Sequence, residues 1–482
     1  MSSILQELVP APDPVETARR LLGSPFPIFL DSSAYHPGTG RYSWLSADPV
    51  VVLQSSGGML TRFWPGTGRR ETGPGDPLLA ARDMLGPPRE PLPGIPPFQG
   101  GFAGYIGYEY GGRLETLPTP RFHEALLPEV SLALYDWVLA WDQTSGRAWL
   151  ISTGLPETGA EAARRAASRM LQVQDLIARG SARPPGPVAV HSSEAPAFPV
   201  ELPGLAAPAD LRSTFTREGY QAAVRRVIDY IRAGDVFQVN LSQRFRAPAP
   251  RDPFEIYTGL RHINPAAASA YLDLGAAAIA SASPERFLRL DPGTRMVETR
   301  PIKGTRPRGR TPAEDRALRD ELSRSGKDRA ENVMIVDLLR NDLSRVCDPG
   351  SIEVPDLLAI EEHPTVFHLV STVTGRLGAG RDAVDLLQAA FPGGSITGAP
   401  KVRAMEIIAE LEPVERGPYC GSIGYWSATG ALDTSIVIRS LVFTGGWSYA
   451  QAGGGIVADS DPEQEYLETI DKARALLAAL AE

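Results

Sequence analysis

The sequence predicts an α/β (α+β) protein, with a smaller glycine-rich N-terminal region and a densely patterned C-terminal half. Short β-like runs separated by Gly/Pro-rich turns recur along the chain. In the C-terminal half they alternate with segments whose apolar residues fall at helical spacing. The composition, 43% hydrophobic and 22% charged over 482 residues, is that of a globular chain long enough to bury a large core.

Residues 15–155 form the N-terminal region, with strand-like runs at 26–30, 50–54 and 132–141. A helix is expected over Gly159–Arg179. Residues 181–211 are rich in Pro, Ala and Ser, show no periodic apolar face and read as a linker. Patterning resumes at Thr216 and runs to 477. Tyr220, Val224, Val227, Ile228 and Ile231 mark a helix over 217–233 that Gly234 stops. Strand-like segments follow at 236–245, 270–274, 278–282, 287–290 and 296–299.

The formal charge of −9 and pI near 5.4 argue against a broad nucleic-acid-binding face. Two cysteines, Cys347 and Cys420, exclude a disulfide framework and point to a reducing compartment. The first residues lack a basic segment followed by an apolar core, so no signal peptide is expected. No apolar run reaches the roughly 20 residues needed to span a bilayer. The Ala-rich stretch 266–282 comes nearest, and Asp273 interrupts it. A cytoplasmic chain with no nucleic-acid or membrane partner is the expectation.

The segment 301–309, Pro-Ile-Lys-Gly-Thr-Arg-Pro-Arg-Gly, sets one lysine between a β-like run and a Gly-Thr turn. A lysine amine attacks an electrophile only when neutral, and burial or neighbouring cations favour that form. Arg300, Arg306 and Arg308 are candidate cations, or candidate forks for the carboxylates of an anionic substrate. A basic surface turn fits the same residues.

The helical stretch 327–340 places Asp328 and Glu331 three apart on one face, with Val336, Leu339, Leu343 and Val346 as its apolar stripe. Near the C-terminus Asp461 suits an N-cap and Pro462 a first helical residue, and Glu465 and Glu468 share a face. Together the two pairs would make an oxygen-rich cage suited to Mg²⁺. Separately each is an ordinary acidic pair on a helix. The glycine-rich turn 392–401 runs into a helix expected over 402–411, an arrangement that offers backbone N–H groups to an anion. A second tract, Gly453-Gly454-Gly455, would let a ligand approach the backbone closely. His368, in an apolar run, reads as a core histidine or a site residue. Glu285 reads as an acid/base or as the partner of Arg286.

Taken in order, several segments resemble the chorismate-utilising enzymes: anthranilate synthase component I, aminodeoxychorismate synthase component I, isochorismate synthase and salicylate synthase. They are Gly-Asp-Val-Phe-Gln-Val-Asn-Leu-Ser at 234–242, Ser-Pro-Glu-Arg-Phe at 283–287, Pro-Ile-Lys-Gly-Thr at 301–305 and Ala-Glu-Asn-Val-Met-Ile-Val-Asp-Leu at 330–338. Gly-Ala-Pro-Lys at 398–401, Asp-Thr-Ser-Ile-Val-Ile-Arg at 433–439 and Ala-Gly-Gly-Gly at 452–455 complete the set. The resemblance spans about 216–477, and 41–45 and 100–105 extend it into the N-terminal region. It implies an anthranilate synthase component I-like fold, with large β-sheets packed in layers and flanked by helices. It also implies that Glu331 and Glu468 ligate Mg²⁺, with Asp328 and Glu465 as their outer partners. Gly304, Thr305, Gly398, Ala399, Tyr419, Arg439, Gly453, Gly454, Gly455 and Lys472 match chorismate-binding positions, and His368 matches a histidine beside the substrate ring.

Lys303 then separates subfamilies. Anthranilate synthases carry alanine there, giving Pro-Ile-Ala-Gly-Thr, whereas aminodeoxychorismate synthases carry lysine. The resemblance therefore implies formation of 4-amino-4-deoxychorismate for p-aminobenzoate and folate synthesis. Lys303 would be the nucleophile and Glu285 the proton donor. Anthranilate formation, toward tryptophan, is the alternative. Neither cysteine lies in a strand-turn-helix elbow, so ammonia is expected from a separate glutamine amidotransferase subunit. Conversion to p-aminobenzoate is expected to be another enzyme's task. The family's N-terminal region can hold tryptophan; Asp31-Ser32 and 264–267 match that pocket's motifs in part, with Ala267 where proline is usual.

Overall fold

A computed structural model describes residues 3–35, 38–122, 124, 127–181, 195–200, 202 and 205–481. Of the expected linker 181–211, residues 182–194, 201 and 203–204 lie outside the described residues. The fold is mixed α and β, built on two large sheets in which the paired strands run antiparallel.

The first sheet runs from an edge at Ile4–Leu8 through Arg147–Ser152, Trp137–Asp142, Tyr42–Ser46 and Ile28–Asp31. It continues through Ala268–Asp273, Ala277–Ser283, Ser440–Thr444, Trp447–Ile456 and Gln238–Pro248, ending on two short strands. The second begins at Ile302–Pro307 and passes through Val366–Arg376, Met296–Thr299, Arg286–Leu290, Leu432–Ile436 and Ser422–Ser427. It continues through Gly101–Ile106, Val130–Tyr135 and Val51–Ser56 to an outer hairpin, Met59–Trp64 and Arg69–Pro74. Strands from either side of the linker share both sheets.

Alternation of side chains along each strand lets a sheet bury both faces against different partners. Ile28, Leu30, Trp44 and Val138 of the first sheet meet Ala103, Tyr105, Tyr135 and Tyr425 of the second in one apolar layer. The outer face of the first sheet packs on the helices Pro253–Ile263 and Pro462–Ala481 through Phe254, Tyr257, Ile470 and Leu477. The second sheet is covered by Gly326–Ser344, of whose predicted stripe Val336, Leu339 and Leu343 are buried within the helix and Val346 just past its end.

Two elements differ from their sequence pattern. The apolar run 132–141 is two strands in different sheets, Val130–Tyr135 and Trp137–Asp142. The break falls at buried Asp136, whose carboxylate accepts from Arg165 and Arg169. A hydrophobic run cannot show this break, because both strands are buried on both faces. The expected Gly-Thr turn after Lys303 is instead a strand, Ile302–Pro307, with a register shift between Ile302 and Thr305. Gly304 has φ +90° there, a bulge conformation that glycine adopts without strain.

Candidate active site

Lys303 lies at the centre of the site. The Ile302–Pro307 strand directs it toward the glycine tract of Trp447–Ile456, where a Cβ built on Gly455 would stand 3.5 Å from Lys303 Nζ. That same Cβ would overlap Gln238 Nε2, so any side chain at 455 would displace the end of Gln238. Gly453, Gly454 and Gly455 are held opposite Ser242, Leu241 and Asn240 in regular register. The tract is therefore a flat wall, not a loop. Burial lowers the Lys303 ammonium below its ordinary value; Lys472 adds to this, while Glu331, Glu285 and Glu468 oppose it. The cation beside Lys303 is thus Lys472.

The arginines proposed to act on Lys303 are engaged elsewhere. Arg300 pairs with Glu361, Arg306 with Glu321 at 2.7 Å and Asp328 at 3.1 Å, and Arg308 with Asp315 at 2.7 Å. Arg306 and Arg308 extend on the strand beyond the bulge, toward the helices Pro312–Arg324 and Gly326–Ser344 that carry these acids. Sequence proximity to Lys303 was a misleading guide, because the bulge re-aims the chain carrying Arg306 and Arg308, and Arg300 is held by Glu361.

Glu285 faces Lys303. It is buried, and its carboxyl is pushed up to about 7 by burial; a hydrogen bond from Ser395, the Lys303 and Arg439 charges and the Ile302 N–H hold it from rising further. Ser395 Oγ donates to Glu285 Oε1 at 2.6 Å. The alternative pairing of Glu285 with Arg286 is not made: Arg286 binds Asp433 at 3.1 Å and Glu298 at 2.8 Å. Arg439 completes this side, within electrostatic reach of Tyr419, Glu468 and Glu285, and burial lowers it below its ordinary value. Neither Lys303 nor Arg439 forms an ion pair or side-chain hydrogen bond among the described residues. Arg439, desolvated and making no ion pair among the described residues, is a seat for an anionic ligand beside Lys303.

The two acidic pairs do meet. Lys327 Nζ lies 4.0 Å from Glu331 and 3.7 Å from Glu465, linking the two helices. Lys472 binds Glu468 at 2.5 Å and donates to the Gly453 carbonyl at 2.8 Å. Asp328 is held by Arg306 and packs against Gly304, where a Cβ would come within 2.9 Å of it. Burial raises Glu331 above the usual carboxylate range, with Asp328 and Glu468 adding repulsion. Burial likewise raises Glu465, and Glu468 adds to it. Burial also works to raise Glu468, but Lys472, Lys327 and Lys303 hold it below. Among the described residues no three acidic, histidine or cysteine side chains converge closely enough to hold a metal as they stand. The donor chemistry nevertheless suits a hard cation. Glu465 Oε2 is buried without a hydrogen-bond partner, and it sits with Glu468 Oε1 over the open face of Gly454, 2.9 and 3.3 Å from where a Cβ would be.

Thr305 Oγ1 lies 2.9 Å from His368 Nδ1, so the strand pairing brings these two candidates into contact. Gly398 and Ala399 form a short strand against Val239 and Gln238, and a Cβ on Gly398 would strike the Gln238 carbonyl. They reach the site's edge through this pairing. Lys401, at the end of the same turn, points away: its Nζ donates to Asp342 at 2.6 Å and to the Ala390 carbonyl at 2.9 Å. The turn's lysine is therefore structural here, not a substrate contact. Tyr419 is 9% exposed and lies over the Arg416 guanidinium.

Gln238 and Ser395 did not stand out in the sequence. Gln238 is 1% exposed, its Oε1 is buried without a partner, and it neighbours Lys303 across Gly455. Both sit inside motifs, at 234–242 and 392–401, but nothing in a linear pattern shows which side chains turn inward.

A separate cavity of about 300 Å³ lies between the sheets, lined by Asp31, Ser32, Ala267, Arg286 and Asp433 among others. Asp31, Ser32 and Ala267 are among the residues matched to the family's tryptophan motifs. Asp31 there is already bound by Tyr257 at 3.0 Å and Arg261 at 2.6 Å.

A family profile for chorismate binding enzymes matches residues 71–478. Aminodeoxychorismate synthase component 1 of Salmonella typhimurium is 44% identical over 461 residues, covering 94% of this chain and 92% of that protein. Anthranilate synthase component 1 of Thermus thermophilus is also 44% identical, over 405 residues, covering 84% and 82%. The crystal structure of anthranilate synthase component I from Streptococcus pneumoniae TIGR4 superposes with a TM-score of 0.74 at 31% identity, covering 92% of each chain. The chain belongs to the chorismate binding enzyme family and is a chorismate-utilising enzyme.

Proposed function

We propose that this chain aminates chorismate at C4, giving 4-amino-4-deoxychorismate. The observation behind the reading is Lys303: a lysine biased by burial toward its neutral form, without an ion pair, and facing a buried acid of pKa about 7. An alanine at this position, the anthranilate synthase residue, would supply no nucleophile.

Arg439 and the backbone of Gly453–Gly455 bind the substrate carboxylates, and Tyr419, Thr305 and His368 border the ring. Neutral Lys303 Nζ forms a bond to ring carbon C2 as the double bond shifts and the C4 hydroxyl leaves, taking the proton of Glu285 as water. Ammonia then bonds to C4, the electron pair returns along the same path, and the C2–Nζ bond breaks. Glu285, neutral below about 7, is suited to donate that proton. Splitting one substitution into two steps is what a covalent nucleophile contributes. Glu331 and Glu468 would hold Mg²⁺, with Asp328 and Glu465 orienting its waters, and the ion would neutralise substrate carboxylate charge.

Ammonia would come from a separate glutamine amidotransferase subunit. "Component 1" in the relatives' names fits a two-component enzyme. Burial pushes the Cys347 and Cys420 thiols up to about 11 and about 12, which suits neither to nucleophilic work. Conversion to p-aminobenzoate would fall to another enzyme.

The equal identity to the Thermus thermophilus anthranilate synthase favours a second reading, anthranilate formation. Purified protein with chorismate, Mg²⁺ and ammonium separates them. Aminodeoxychorismate, trapped as p-aminobenzoate by added lyase, is expected from the wild type and should be lost in Lys303→Ala. Fluorescent anthranilate without lyase, or a Lys303→Ala variant aminating C4 at the wild-type rate, would overturn the reading.

A further inference from the structure

Beneath the site lies an ion pair that the proposed reaction does not use. Arg416 and Glu412 side chains are 1% and 3% exposed. Arg416 Nε donates to Glu412 Oε2 at 2.8 Å and Nη2 to Glu412 Oε1 at 2.6 Å. The rest of the fork is spent on main-chain carbonyls: Nη1 on Ile396 at 3.1 Å and Nη2 on Asn240 at 2.6 Å. Glu412 Oε1 also accepts from the Ser242 N–H and hydroxyl, both at 2.8 Å. The guanidinium is stacked between Tyr108 and Tyr419, 4.7 and 5.7 Å from their ring centres. Glu109 fixes the Arg416 backbone from below, accepting from the Arg416 and Gly417 N–H groups at 2.7 and 2.9 Å.

Desolvating such a pair is expensive, and an apolar pair of similar volume is often as stable or more so. Its contacts suggest why charges stand here. Ile396 follows Ser395, which holds Glu285. Asn240 and Ser242 lie on the strand that carries Gln238 and backs the glycine wall. Tyr419 is a wall itself. One guanidinium therefore touches three walls of the Lys303 site.

We propose that Arg416 and Glu412 are positioning residues that hold the Ser395–Glu285, Gln238–glycine and Tyr419 walls in register around Lys303. The proposal rests on Lys303 marking the reacting centre. A misplacement of about 1 Å remote from the chemistry can cost on the order of 10²-fold in rate.

The test compares wild type with Arg416→Lys, Glu412→Gln and the double variant Arg416→Met/Glu412→Met. The double variant orphans the Ser242 N–H and the Ile396 and Asn240 carbonyls, so its Tm is expected to fall, while kcat per folded protein falls on the order of 10²-fold. Its crystal structure should show the Tyr419 ring and the Ile396 carbonyl displaced. Because Ser395 lowers Glu285 and would loosen its hold, the descending limb of the pH–rate profile should move to higher pH, with Lys303 and Arg439 still facing the carboxyl. Loss of folded protein alone would change the amplitude and leave that limb in place. Arg416→Lys keeps the charge without the fork, so an intermediate loss is expected; if the double variant does not fold, this variant decides by the same displacement and pH shift. Unmoved walls, or wild-type kcat and limb, would overturn the proposal. A wild type that makes no product would instead sink the assigned reaction, and the crystallographic comparison would still decide the positioning role.

Discussion

Lys303 and Glu285 occupy one low-dielectric space, and their protonation states are set against each other. A raised carboxyl and a lowered ammonium both favour the neutral form, which is the combination a nucleophile and a proton donor need. Glu285 is a competent acid below about 7 and loses its proton as pH rises through that value. The wild-type rate should therefore decline above about pH 7, and Glu285→Gln should remove that decline while lowering kcat about 10²–10⁴-fold. The same shift bears on stability. A carboxyl whose folded pKa lies above its unfolded value contributes stability at low pH that disappears as pH rises through the folded value. Glu285→Gln should then be more stable than wild type at pH 8–9, by on the order of 3 kcal/mol, and nearly neutral at pH 4. Thermal melts across this range check it, and an unchanged difference would mean the carboxyl is solvated. Of the residues around Lys303, the motif lysine was legible in the sequence but its electrostatic partners were not. Arg300, Arg306 and Arg308 are neighbours along the chain and pair with acids elsewhere; Lys472, 169 positions away by residue number, is the cation beside it.

At the scale of elements, the site depends on two glycine features with different jobs. Gly304 permits the bulge that turns Lys303 inward and Arg306 outward. Gly304→Ala places a Cβ 2.9 Å from Asp328 at φ +90°, and should cost about 1–3 kcal/mol in denaturant unfolding. Gly455 permits close approach. Gly455→Ala should push Gln238 and crowd Lys303, lowering turnover far more than Tm. The acidic pairs are a third element-scale device. Asp328→Asn or Glu465→Gln should weaken Mg²⁺ binding 10–100-fold by calorimetry, independent of any turnover. The C-terminal helix start was readable beforehand: Asp461 Oδ1 accepts from the Glu463 and Gln464 N–H groups at 3.1 and 3.0 Å, as an N-cap does. The meeting of that helix with Gly326–Ser344 was not, since same-face spacing says nothing about what a face opposes.

Across the whole molecule, strands from before and after residue 181 are neighbours in both sheets. Ala268–Asp273 pairs with Ile28–Asp31, and Ser422–Ser427 pairs with Gly101–Ile106. Expressing 205–482 alone should leave two long strand edges unpaired and give insoluble protein, with solubility restored by co-expressing 1–181. No helix among the described residues is long and apolar enough to cross a membrane.

The sequence by itself determined the family, the order of the motifs and the lysine on which the proposed choice of product turns. These are properties of residue identity in a row. Tertiary structure decided which charges face which: Arg306 and Arg308, beyond a bulge, pair with acids on neighbouring helices, two helices bring two acidic pairs to one site, and a buried Arg–Glu pair underlies three walls at once. Electrostatic energy depends on distance and desolvation through space, and neither is written in spacing along the chain.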